Sequence, residues 1–365
     1  MSMSILRRVA CAIACCTLVL SAGCGTKPEI VRIGAILPLT GAGADIGNQH
    51  LHGLQLAIEE LNASNPDVRY ELVVASDQND PGAALAAFKS QLIDKKILVS
   101  FVIARSSCLA VAHQAEVEFV PVFANCRHPL ITTIHANTFR IVPSTTLEIK
   151  TTARFLTASL KVDRAAALYF NDDDGNDAAK AFKNELPQSG VRLLAMEPFI
   201  DDVASAKSAV SMALAQDPGA VYVFGAGKAA AGVLAALRAA GYRGAVVGSS
   251  DFRDPAFAAL AGESLEGCYY SVPSIELTGY PDFTARYRKR FSAAPTASGA
   301  FEYDAMRIVA KAVDIKRLEK INIASALKKV GDFSGAGGAY TYVEREWLPR
   351  MSVVQVRGDT ATVVY

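Results

Sequence analysis

The chain has 365 residues and is close to neutral, with 37 Lys and Arg residues against 36 Asp and Glu residues. It shows no basic run or patch, so nucleic acid is excluded as an expected partner. Beyond the N-terminal region no stretch reaches 18 uninterrupted apolar residues, which excludes a later membrane-spanning helix.

The first 24 residues, MSMSILRRVACAIACCTLVLSAGC, indicate an export signal. Arg7 and Arg8 precede an apolar run of about 15 residues, which is too short for a permanent transmembrane helix. The sequence SAGC resembles the lipobox of bacterial lipoproteins, in which the cysteine is lipidated. We predict a signal peptide at 1–23, lipidation at Cys24, a tether at 24–30 and a lipid-anchored periplasmic protein. The alternative is plain secretion with a free Cys24.

From residue 31 onwards, short β-branched runs alternate with alanine-rich stretches of helical length. Repeated strand, helix and strand predict an α/β protein with parallel sheets that are covered on both faces. The series is too long for one ordinary sheet, so we expect two doubly wound lobes. Asp80 and Pro81 predict a helix N-cap followed by a first-turn proline, and Thr145 to Glu148 has the pattern of a capping box.

Two breaks and a change of pattern divide the chain. The breaks lie near residues 140–148 and 269–281, and the segment after about residue 330 reads as antiparallel strands. We therefore expect three crossings between the lobes. The first lobe is predicted at 31–142 plus 274–332, and the second at 143–273 plus 333–365.

Four segments carry a resemblance to a known family. They are IGAILPLTGAGADIGNQHLHGLQLAIEELNA, SDQNDPGAALAAFKSQLI, FEYDAMRIVAKAV and DFSGAGGAYTYV. In their order and spacing they resemble the type I periplasmic binding proteins, specifically the branched-chain amino-acid (Leu/Ile/Val) receptors of ABC importers. The resemblance implies two doubly wound lobes on three hinge strands, closing on a ligand between them. In open parallel sheets ligands sit outside the carboxyl ends of strands, which agrees with such a cleft.

In the first lobe, the loop from Leu39 to Ile46 is expected to line the cleft. Ser106 and Ser107 lie where a strand gives way to a helix, and a helix start is a natural carboxylate site. The family uses a serine here, which aligns with Arg105 or Ser106. The alternative for the serines is simple N-capping. In the next loop Arg127 could clamp an anion together with Arg105, or one or both arginines could face solvent.

The family commonly places an aromatic residue at the position of Ile46 in the first lobe, a tyrosine at that of Asp174 in the second, and often another near Gly227, but all three are absent here. Asp174 and Asp251 are candidates for binding an amino group, and the family's ammonium-binding acid aligns with Ser250. The alternative for most of the aspartate run at 172–174 is a solvated turn or helix cap. The candidate ligand-binding residues are Thr40, Ile46, Arg105, Ser106, Ser107, Asn125, Cys126, Arg127, Asp174, Gly227, Ser250 and Asp251.

Three cysteines follow Cys24. Cys108 and Cys126 each follow one of two successive predicted strands, so in an oxidising compartment they could form a disulfide or remain free. Cys268 is expected to be a buried free thiol. The cysteine spacings resemble no zinc site, and no metal is predicted.

Two other functional readings compete with solute capture for transport. Residues 225–230, GAGKAA, follow a predicted strand in a G-x-G-x-x-A pattern, with Asp251 about 25 residues on, as in a dinucleotide-binding enzyme. A ligand sensor of the same fold is the other alternative. The main prediction is a monomeric, non-catalytic solute-binding lipoprotein without a cofactor. It would deliver a small polar, amino-acid-like or carboxylate solute to an ABC permease in the inner membrane.

Overall fold

The computed structural model of the protein describes residues 27–365. The predicted signal peptide, lipobox and lipidated Cys24 lie outside them. Within the described part of the chain, no helix combines the length and apolar character needed to cross a bilayer.

The first lobe is built on a parallel five-stranded sheet in the order β2-β1-β3-β4-β5. Its strands are β1 (Glu29–Leu37), β2 (Val68–Ser76), β3 (Val99–Ile103), β4 (Val122–Asn125) and β5 (Thr138–Phe139). The helices interleaved with these strands are α1 (Ala44–Ser64), α2 (Pro81–Lys95), α3 (Arg105–Glu118) and α4 (Ile131–Ile134).

Helices bury both faces of this sheet, and β1 contributes to both cores because its alternate side chains point to opposite faces. Ile33 packs in one core with Leu54 of α1, and Ile36 packs in the other with Phe88 of α2 and Val111 of α3. Later helices complete the first core. They are α11 (Pro281–Phe291), α12 (Ala297–Glu319) and α13 (Ile323–Lys329).

The second lobe is built on a seven-stranded sheet in the order β15-β14-β10-β9-β8-β6-β7. Strands β6 to β10 run parallel, whereas β14 and β15 pair antiparallel at one edge. The strands are β6 (Arg164–Phe170), β7 (Arg192–Phe199), β8 (Ala220–Phe224), β9 (Ala245–Gly248), β10 (Tyr269–Pro273), β14 (Met351–Arg357) and β15 (Thr360–Val363). Its helices are α5 (Thr145–Ala158), α6 (Asp173–Gln188), α7 (Val203–Leu214), α8 (Gly227–Ala239) and α9 (Pro255–Ala261). The predicted α/β fold with two doubly wound lobes is confirmed.

The chain crosses between the lobes at 141–144, 273–275 and 349–351. A backbone hydrogen bond joins the last two crossings, in which Ser274 N donates to the Arg350 carbonyl at 2.8 Å. A short helix, α10 (Ser274–Thr278), begins within the second crossing.

The structure differs from the predicted boundary at residue 333. Residues 333–349 form a small antiparallel sheet of β11 (Phe333–Gly335), β12 (Gly338–Val343) and β13 (Glu346–Pro349). Phe333, Tyr340 and Trp347 of this sheet lie in the core of the first lobe, not the second. Their large apolar side chains cover the open side of that core, and the chain enters the second sheet only at β14.

Two predicted helix starts have different outcomes. Asp80 caps α2 as expected, its carboxylate accepting from Ala83 N at 2.6 Å ahead of Pro81. The predicted capping box at Thr145 is wrong, because Ser144 is the N-cap of α5 and accepts from Leu147 N. Glu148 is thereby one position too far along for a capping box, and its side chain is free to reach across to the first lobe.

Candidate ligand-binding cleft

The parallel strands of the two sheets follow the same order, since β7-β6-β8-β9-β10 repeats β2-β1-β3-β4-β5. In such sheets ligands bind outside the carboxyl ends of the strands, where the strand order reverses. A cavity of about 290 Å³ lies there between the lobes. This is just below the ~300–1,000 Å³ typical of small-molecule sites.

The cavity has one wall from each lobe. Arg127, His128 and Pro129, just beyond β4, form the wall of the first lobe. The second lobe contributes residues from the ends of its strands and the loops that follow, together with Thr145 near the hinge. These residues are Phe170, Asp172, Asp174, Asp177, Phe224, Gly225, Ala226 and Asp251. A Cβ atom at Gly225, where φ is +152°, would lie 3.1 Å from Cβ of Phe170. Glycine therefore lets the backbone approach Phe170 closely in this wall of the cavity.

Arg127 joins the two lobes through two carboxylates. Its Nη2 donates to Glu148 Oε2 at 2.9 Å, and its Nη1 donates to both carboxylate oxygens of Asp251 at 3.2 and 3.3 Å. Its guanidinium carbon also lies 5.6 Å from the centre of the Phe224 ring, over its face. Ser249 Oγ donates a further hydrogen bond to Asp251 Oδ2 at 2.8 Å.

Arg105, the first residue of α3, makes a second bridge to the start of α6. Its Nε and Nη2 donate to Asp177 Oδ2 at 3.1 and 2.5 Å, and its Nη1 donates to Asp173 at 3.2 Å. Asp174 Oδ1 lies 3.0 Å from the same Nε. His128 Nε2 is 3.3 Å from Asp177, so both arginines and a histidine of the first lobe face acids of the second.

The pKa values of these groups follow from burial and pairing. Burial raises the pKa of Glu148, while the nearby Arg127 opposes that rise. Burial favours the neutral form of His128 and lowers its pKa, despite the adjacent Asp177. Burial would also raise the pKa of Asp177, but hydrogen bonds from Arg105 and Lys180 bring it below its usual value.

Three of the predicted ligand-binding residues line the cavity, namely Arg127, Asp174 and Asp251. Arg127 and Asp251, which were expected at opposite ends of a ligand, instead contact each other. Gly227 begins α8 directly after Ala226 but does not line the cavity. Thr40 and Ile46 are exposed and do not line it either.

Several other predicted residues have partners inside the protein. Ser107 is fully buried, and its Oγ donates to Asp77 Oδ2 at 2.6 Å, whereas Ser106 is exposed. Asn125 is buried and its Nδ2 donates to Glu302. The backbone N–H of Ser250 lies 3.5 Å from Glu148 Oε2. The Ser107 side chain therefore supports the fold of the first lobe.

Cys108 and Cys126 are free and buried, so of the two alternatives left open by the sequence the structure has the free thiols. Cys108 Sγ lies 3.3 Å from the Val102 carbonyl, to which it donates. The Cys126 carbonyl accepts from Arg140 at 3.3 Å. Cys268 is a buried free thiol, as predicted.

Several residues of the cleft are not among the predicted ligand-binding residues. The sequence alone indicates a helix cap for Glu148 and no role for Asp177. Phe170 and Phe224 end β6 and β8, and the rule that strand ends face the cleft could have identified them.

Two larger depressions, of about 720 and 820 Å³, lie on the outer surface of the second lobe. One follows the edge strand β7, and the other lies between α9 and the end of β14. Each is lined by a single lobe, so hinge motion would not enclose a ligand in either.

Two lobes of matching strand order, three crossings and a polar cavity between them define a bilobal solute-binding protein. The chain belongs to the periplasmic binding protein family, whose model matches residues 30–360. The resemblance drawn from the sequence is thereby confirmed. The family consists of binding proteins rather than enzymes. No curated protein matches the chain by sequence.

Solved structures share the fold. A leucine-binding protein of Thermotoga maritima is 21% identical, with 92% of this chain and 98% of that chain covered and a TM-score of 0.72. A substrate-binding protein of a Streptococcus pneumoniae branched-chain amino acid transporter, solved with isoleucine, is 20% identical (92% and 99% covered, TM-score 0.69). A Rhodopseudomonas palustris ABC-transporter protein, solved with 3,4-dihydroxybenzoic acid, is 18% identical (92% and 95% covered, TM-score 0.68).

Proposed function

We propose that this protein is an extracytoplasmic lipoprotein that captures a small polar solute by hinge closure and delivers it to an ABC permease. The observation that carries the proposal is the cavity lined from both lobes, with Arg127 on one wall and Asp174 and Asp251 on the other. A solute that contacts both walls binds the closed arrangement better than the open one, and therefore shifts the population towards closure.

The family resemblance favours an amino-acid-like or carboxylate solute. Relatives of this fold were solved with isoleucine and with 3,4-dihydroxybenzoic acid. The anchor at Cys24 and the monomeric state belong to the same proposal. Closure needs only one copy, since both walls come from one chain.

The test combines thermal shift and solution scattering on the mature protein carrying Cys24→Ser, which prevents lipidation. Amino acids, aromatic acids, amides and amines are screened, because a solute that binds only the folded protein raises the melting temperature. A hit is then examined by small-angle scattering, which should show a smaller radius of gyration with solute. A broad panel that yields neither a shift nor compaction would refute the proposal.

A further inference from the structure

The charge around the cavity is unbalanced. Six carboxylates line the cavity or pair with Arg105 and Arg127. They are Glu148, Asp172, Asp173, Asp174, Asp177 and Asp251. Three cations face them, Arg105, Arg127 and the exposed Lys180, which leaves a formal charge of −3. An added cation is therefore attracted to the cleft, and an added anion is repelled.

Five of the six guanidinium nitrogens of the two arginines already donate. Both terminal nitrogens of Arg127 donate to Glu148 and Asp251, whereas its buried Nε has no hydrogen-bond partner among the described residues. The donors of Arg105 are likewise used by Asp177 and Asp173. An incoming carboxylate that accepts two parallel hydrogen bonds from either guanidinium would have to displace one of these acids. The side chain of Glu148 is only 9% exposed, so its displacement would leave a buried charge without its partner, which is costly.

Asp174 is the cavity carboxylate with the most free acceptor capacity. Its ion pair is with Arg105 Nε at 3.0 Å, yet that N–H donates to Asp177. Asp251, in contrast, accepts from both Arg127 and Ser249. Asp174 lines the cavity and can therefore accept hydrogen bonds from a bound group.

The apolar part of the wall also suits a cation. Phe170 and Phe224 both line the cavity. The face of Phe224 already carries the guanidinium of Arg127 at 5.6 Å, a contact in which an aromatic ring attracts positive charge. Aromatic rings beside carboxylates are the surroundings that alkylammonium and guanidinium groups prefer.

We propose that the cleft captures a small organic cation, a solute with an ammonium or guanidinium group and a net positive charge, held by Asp174 beside Phe170. This inference rests on the proposed capture by hinge closure, and it assigns a cationic solute in place of the carboxylate solute that the family resemblance favours. Arg105 and Arg127 then serve as bridges between the lobes, and neither binds the solute's charge.

The test uses two series of probes that differ in charge but little in shape, measured by calorimetry on the mature Cys24→Ser protein. One series is benzylamine, benzyl alcohol and benzoate, and the other is lysine, norleucine and 2-aminoadipate. In each series of which any member binds, the cationic member is expected to bind at least tenfold more tightly than its neutral and anionic counterparts. A neutral or anionic member that binds as tightly as its cationic counterpart would overturn the inference. So would a lack of binding by both cationic members.

Asp174→Asn is expected to weaken the cationic probe about ten- to hundredfold, as for loss of a charge-assisted contact. The matched control is Asp217→Asn, which removes the same charge from an exposed pair with Arg164 before β8, at the far end of the sheet. The control should stay within twofold of the unmodified protein, and an equal loss in both variants contradicts a role for Asp174. If benzoate bound at least as tightly as benzylamine and compacted the protein, this inference would fail while the proposed function stood.

Discussion

Replacing Arg127 by methionine tests the bridge between the lobes. Methionine keeps much of the apolar stem and removes the charge, which leaves Glu148 and Asp251 without their common partner. Removing one member of a fully buried ion pair costs about 3–5 kcal/mol. Because the side chain of Arg127 is 35% exposed, we expect a smaller loss of about 2–4 kcal/mol in the free energy of unfolding.

The variant can lower its free energy by opening the lobes, because Glu148 then regains water. Such opening is detected as a larger radius of gyration in solution scattering. Urea denaturation then measures the loss in the free energy of unfolding that remains. Adding Glu148→Gln to the Arg127→Met variant should recover about 1–2 kcal/mol, because the stranded charge is removed.

The control for this prediction is Arg164→Met. Arg164 pairs with Asp217 at 2.8 Å, but their side chains are 44% and 89% exposed, so the expected change is below about 1 kcal/mol. If Arg127→Met matched the unmodified protein in both denaturation and scattering, Arg127 would not be a bridge.

Two further predictions concern the first lobe. Ser107→Ala should cost about 1–3 kcal/mol in urea denaturation, since it removes the buried donor to Asp77, whereas exposed Ser106→Ala should cost less than about 0.5 kcal/mol; equal effects would contradict this assignment. Burial raises the pKa of Asp304 from 3.8 to about 6, so the folded state binds this proton more tightly than the unfolded state does. The stability due to Asp304 is therefore present at acidic pH and is lost as the pH rises through 6. Relative to Asp304→Asn, the protein should gain about 2–3 kcal/mol between pH 8 and pH 4, and a pH-independent difference would refute the shift.

Much of the fold was predictable because parallel strands buried on both faces leave short, nearly continuous apolar runs in the sequence. The lobe assignment of residues 333–349 was not predictable. Alternation in this segment showed strands, but nothing local shows which core Trp347 covers.

The chemistry of the cleft was predictable in composition but not in pairing. Arg127 and Asp251 were both placed in the cleft from their positions after strands. Their mutual contact spans 124 residues of sequence and depends on how the two lobes meet. The role of Glu148 was not predictable for a related reason. The helix starts one residue earlier than the sequence pattern indicates, so Glu148 does not cap it and instead pairs with Arg127 of the other lobe.

The small sheet of β11 to β13 bears on the order in which the protein can mature. Phe123 and Phe139 stack against or near Trp347, which emerges from the ribosome about 200 residues after them. The amino-terminal half therefore cannot complete its apolar interior until nearly the whole polypeptide has been synthesised. Such distant pairings slow folding, because the long intervening segment has to be closed into a loop before the contact can form.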